Sequence, residues 1–87
     1  MTSASIEIRW ERRALKELKG IEKDAQQRIV GAVEQLLEQP LKGTQLSAQW
    51  KGLRRLRVGE FCVIYAFDGT RLLISVVRVG HRSGVYR

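Results

Sequence analysis

The apolar positions of this chain repeat first every two residues, then with a helical period, then every two again. Residues 5–9, SIEIR, alternate polar and apolar and predict a short first strand. From there Trp10, Ala14, Leu15, Leu18 and Ile21 fall on one helical face, while Glu11, Arg12, Arg13, Lys16, Glu17 and Lys19 face elsewhere. Gly20 is a natural stop for that helix. A second helix is predicted from Glu22 to Glu38, with Ala25, Ile29, Ala32, Val33, Leu36 and Leu37 as its apolar stripe. Glu22 and Asp24 complement the dipole at its start, and Pro40 ends the segment. So short a turn between the helices implies an antiparallel αα-hairpin.

Residues 41–49 read as a loop. Three strands follow, Leu53–Val58, Phe61–Phe67 and Arg71–Val79, separated by the turns Gly59-Glu60 and Asp68-Gly69-Thr70. Turns this short make the three strands antiparallel neighbours. The last of them is apolar on both sides, which places it inside the sheet. The order β-α-α-β-β-β predicts an α+β fold, an antiparallel sheet with the N-terminal αα-hairpin packed on one face.

At 87 residues the chain is expected to form one domain, residues 1–87. Charge changes the picture more than length does. Residues 1–49 carry 8 Lys and Arg against 7 Asp and Glu, a balance of +1; residues 50–87 carry 8 against 2, a balance of +6. Almost all of the net +7 therefore sits in the strand-rich half, which implies a surface for a polyanion. Arginine outnumbers lysine by 11 to 5, favouring bidentate phosphate contacts. The single cysteine, Cys62, excludes an internal disulfide and makes zinc ligation implausible, so neither metal nor cofactor is expected. It lies in the apolar run FCVIYAF, where a buried, inert thiol is expected. MTSAS lacks the basic and apolar regions of a signal peptide, and no apolar run is long enough to span a bilayer. A cytoplasmic protein without membrane contact is the expectation.

Strand parity in LRRLRV puts Arg55 and Arg57 on one face, ~7 Å apart, and Arg54 on the other with Leu56 and Val58. Like charges at that spacing repel, and a bridging anion would relieve them; the alternative is an edge strand protected by charge. Near the end of the chain, His81 and Arg82 follow Gly80, and Tyr86 precedes Arg87. Cleavage of RNA through its 2′-hydroxyl needs a base, cations to stabilise the phosphorane and an acid for the leaving oxygen. One histidine excludes a paired-histidine mechanism. Histidine exchanges protons near neutral pH and suits one role; tyrosine suits the other, or stacks on a base.

Across IEIRWERRALKEL, the second helix ending near EQP, KGLRRLRVGEFCVIYAF and VVRVGHRSGVYR, the chain resembles the RelE/ParE superfamily of toxins from type II toxin–antitoxin pairs, its RelE branch above all. The resemblance implies a ribosome-dependent mRNA endoribonuclease that cuts the codon in the A site and inhibits translation. It implies a catalytic set of Arg55, Arg57, Arg82 and Tyr86, with His81 as a further candidate, and an RNA-binding surface of Lys51, Arg54, Arg78 and Arg87. The implied partners are the ribosome with its mRNA and a cognate RelB-like antitoxin with acidic or amphipathic segments. The same scaffold also carries ParE-like toxins, which inhibit gyrase without cutting RNA, and a non-catalytic RNA-binding module is a further alternative. One departure matters: where the family's hairpin commonly reads Tyr-Arg, this chain reads Phe61-Cys62.

Overall fold

A computed structural model describes residues 5–84. Its elements are β1 (Glu7–Trp10), α1 (Arg12–Lys19), α2 (Lys23–Gln35), β2 (Thr44–Gln45), β3 (Arg54–Val58), β4 (Phe61–Asp68) and β5 (Leu73–His81), with a 3₁₀ turn at Ala48–Trp50. The five strands form one sheet in the order β1-β5-β4-β3-β2. The meander β3-β4-β5 is antiparallel, as its short turns require, and Gly59 turns the first hairpin at a φ of +60°. Two features depart from the expected sheet. β1 joins β5 in parallel, so the sheet is mixed, and the segment read as a loop contributes the two-residue strand β2 against β3.

Both helices cover one sheet face, α1 against β5 and α2 across β3 and β4. Ala14, Leu18, Ile29, Val33 and Leu36 pack there against Leu56, Val63, Tyr65, Ile74, Val76 and Val79. A β-bulge aligns the last of these. Ile64 pairs with Arg78 but Tyr65 with Val76, leaving Val77 as an extra residue on β5. Val76 and Val79, three apart in sequence, therefore both reach the helix side. Regular α-helix ends at Gln35, short of the expected Glu38, and Leu37 swings outward to 41% exposure although its spacing matched the apolar stripe. Leu15 is also more exposed than its helical spacing predicts, at 38%.

Residues 40–43 are fixed from beneath. The Tyr65 hydroxyl donates to the Pro40 carbonyl at 2.8 Å and accepts from the Gly43 N–H at 2.9 Å. Only glycine fits at 43, because a Cβ there would lie 2.8 Å from the Tyr65 ring and 2.9 Å from the Arg55 carbonyl oxygen. No helix among the described residues is long and apolar enough to cross a membrane.

Candidate functional site

On the face away from the helices, Cys62 and Ile64 form a second, smaller cluster with Leu46 and Leu53. Cross-strand register builds the site around it. Arg57 lies opposite Cys62 and Arg55 opposite Ile64 on β3, while Gly80 flanks Cys62 on β5. Beyond β5, the Arg82 N–H donates to the Glu60 carbonyl at 3.0 Å, continuing the ladder by one step. Two-residue alternation then returns position 82 to the side of Gly80 and Cys62. The electrostatics agree with that placement. Burial raises the Cys62 thiol above its usual range, and Arg55, Arg57 and Arg82 each pull it back down. Three guanidiniums thus surround one buried thiol that stays protonated. Cys62 stands where the family pattern has an arginine, so the arginine ring encloses a small apolar centre.

The remaining sequence candidates do not all join this group. His81 is turned away. It pairs with Phe61, whose ring packs on the helix-side core, and the two rings lie 4.7 Å apart at 32°. The thickness of the sheet separates it from Arg55 and Arg57, which corrects the expectation that it shares their site. Parity gave the signal: His81 is two residues from Val79, a core position. Arg54 is likewise on the helix side, where its guanidinium donates to the Gly43 carbonyl at 2.7 Å and the Leu41 carbonyl at 3.2 Å. These two bonds hold residues 41–43 in place. Arg78 is tied by its Nε to both carboxylate oxygens of Glu17, at 3.0 and 3.2 Å. Lys51 is exposed just after the 3₁₀ turn. Tyr86 and Arg87 lie outside the described residues.

Glu17 is the residue that sequence reasoning missed. Placed on the outward face of its helix by charge, it points inward instead, accepting the Val79 N–H at 2.9 Å as well as Arg78. It sits three residues after Ala14 and four before Ile21, on the apolar stripe itself, which marks it as a partnered carboxylate. Among the described residues, no cluster of three or more His, Cys, Asp or Glu is arranged to hold a metal ion.

The family model of the ParE toxin of type II toxin–antitoxin systems matches residues 8–86. The chain belongs to this toxin family. Solved structures of both superfamily branches resemble the ParE-family chain. A RelB–RelE toxin–antitoxin complex from Mycobacterium tuberculosis is 25% identical with a TM-score of 0.73, over 91% of this chain and 100% of that one. The archaeal RelE–RelB complex from Pyrococcus horikoshii is 19% identical with a TM-score of 0.78, over 93% and 99%. The chromosomal ParDE system of P. aeruginosa is 21% identical with a TM-score of 0.71, over 87% and 95%. No curated protein matches the chain. The RelE-like α+β fold is therefore that of the toxin itself, and the superfamily expected from the sequence is the one found.

Proposed function

We propose that this toxin is a RelE-type endoribonuclease that cuts mRNA on the ribosome and so inhibits translation. The observation that supports this reading is the convergence of Arg55, Arg57 and Arg82 on one sheet face around Cys62. Guanidiniums fixed on strands form a preorganised cradle for a phosphate whose charge grows as the 2′-oxygen attacks. Such a cradle stabilises the phosphorane but moves few protons. With His81 on the other face, proton transfer falls to Tyr86 and to the substrate's own surroundings. Dependence on the ribosome follows, because a site rich in charge and poor in acid–base groups needs its substrate held in an attack geometry by something else. The protein would act in the cytoplasm, and a cognate antitoxin of RelB type would neutralise it by covering this basic face with acidic or amphipathic segments.

Gyrase inhibition is the second reading. It is favoured by the family model's ParE description and by Cys62 standing where the RelE pattern has a cation. Brief expression of the wild type, Arg82→Ala and Tyr86→Phe, followed by mapping of mRNA 5′ ends and assay of DNA supercoiling, separates the two. Codon-positioned ends that both substitutions abolish support the nuclease. Loss of supercoiling with intact mRNA supports the gyrase reading and sinks the nuclease.

A further inference from the structure

β2 is two residues long, shorter than a strand that holds its place in a sheet by backbone bonds of its own. It lies against the start of β3, with Thr44 opposite Arg55 and Gln45 opposite Arg54. The Leu46 N–H donates to the Leu53 carbonyl at 3.0 Å, and alternation along an antiparallel ladder makes Thr44 and Arg55 the next bonded pair. The backbone of Arg55 is therefore tied to β2. Leu56, one residue on, turns its N–H the other way, toward β4.

The groups that seat β2 come from the helix side of the sheet. Residues 40–43 lead into it, and two side chains grip them. The Arg54 guanidinium donates to the Leu41 and Gly43 carbonyls at 3.2 and 2.7 Å. The Tyr65 hydroxyl donates to the Pro40 carbonyl and accepts from the Gly43 N–H. Gly43 is thus bonded at both its N–H and its C=O, one residue before Thr44. A Cβ at Gly43 would lie 2.9 Å from the Arg55 carbonyl oxygen, so this strap touches the Arg55 backbone directly. Arg54 and Tyr65 are themselves cross-strand partners, next to Arg55 in the ladder. Alternation turns Arg54 to the helix side and Arg55 to the arginine face, so two adjacent residues of β3 serve opposite sides of the sheet.

We propose that Arg54 is a positioning residue for Arg55: it clamps residues 41–43 from the helix side, seats β2 against β3, and so sets where the Arg55 guanidinium meets a phosphate of the message. The inference rests on the nuclease reading for its substrate. It adds to that reading a dependence of the arginine face on a cation behind the sheet. With the clamp released, β2 has two residues of paired strand to keep it docked. Arg55 then keeps its pairing with β4, loses the one with β2, and presents its charge from a looser backbone, which forfeits preorganisation. An Arg54 that met RNA itself would instead add a phosphate contact independent of Arg55.

The test uses the full chain and Arg54→Met, which keeps an unbranched stem and removes the donors, alone and combined with Arg55→Ala. Native-state hydrogen exchange is read at two neighbouring amides. In Arg54→Met the Arg55 amide is expected to accelerate about ten-fold more than the Leu56 amide. Equal acceleration of the two would mean a loss of global stability alone, and no acceleration at Arg55 would mean that β2 stays docked without the clamp. Either result overturns the proposal. Single-turnover cleavage of a message on purified ribosomes, at saturating toxin, completes a double-mutant cycle. Arg54→Met should slow the wild type about ten-fold, but the Arg55→Ala background at most about two-fold. Equal losses in the two backgrounds would make Arg54 an independent contact and overturn the positioning role. A wild type that leaves the message intact would sink the nuclease reading, and the two exchange rates would still decide whether Arg54 seats β2 beside Arg55.

Discussion

Replacing Tyr65 with phenylalanine keeps the ring and removes one oxygen. That oxygen joins two backbone groups 25 and 22 residues away in sequence, donating to Pro40 at 2.8 Å and accepting from Gly43 at 2.9 Å. Tyr65 is fully buried, so water does not readily replace the lost partner. Two neutral hydrogen bonds contribute about 1 kcal/mol each, and a buried N–H left without an acceptor costs about 1–3 kcal/mol. The expected loss for Tyr65→Phe is about 2–3 kcal/mol, against a total near 5–10 kcal/mol for a domain this small. In thermal unfolding that is a fall in Tm of about 10–20 °C. Urea unfolding should show a lower midpoint at unchanged slope, and the Gly43 amide should exchange faster with solvent. A Tm within about 2 °C of wild type, with Gly43 still protected, would refute the reasoning. The consequence reaches the site, because Gly43 packs on the Arg55 carbonyl and its own carbonyl is gripped by Arg54.

Gly43→Ala should also destabilise, by about 1–3 kcal/mol, since its Cβ would press on backbone as well as on the Tyr65 ring; chemical denaturation reads it. Glu17→Ala strands the Arg78 guanidinium and the Val79 N–H together, for an expected loss of about 2–4 kcal/mol, with Glu17→Gln losing less because the amide oxygen still accepts; urea midpoints rank the three proteins. Stability should fall at high pH. Burial raises both Cys62 and Tyr65, so the unfolded chain gives up these protons first, and the folded state loses their contribution as pH rises past the ordinary values of 9.0 and 10.0. Denaturation midpoints that stay flat between those values would contradict this, as would rapid alkylation of native Cys62 at neutral pH.

The meander was legible because alternation and turn length leave little choice: residues 53–79 with two-to-three-residue turns can only zigzag. Strand direction at the far edge was not, since a period of two says which face a residue takes and nothing about which neighbour it joins. β2 is two residues long and carries no period at all. Leu37 matched the helical stripe but lies past the point where α2 ends, and periodicity does not encode an end. In the site, parity read correctly for Arg55 and Arg57, and would have turned His81 away had it been counted from Val79. Glu17 was misread, and the contacts of Arg54 and Arg78 were not foreseen, for one reason: their partners lie 13, 61 and 62 residues away, which charge alone does not reveal.

Single-turnover cleavage of a message bound to purified ribosomes tests the arginine face most directly. The account predicts codon-positioned cleavage by the wild type and losses of about 10²-fold or more for Arg57→Ala and Arg82→Ala, with folding unchanged. It predicts that His81→Ala cleaves at close to the wild-type rate. Full cleavage by both arginine variants, or its loss with His81→Ala alone, would contradict the account.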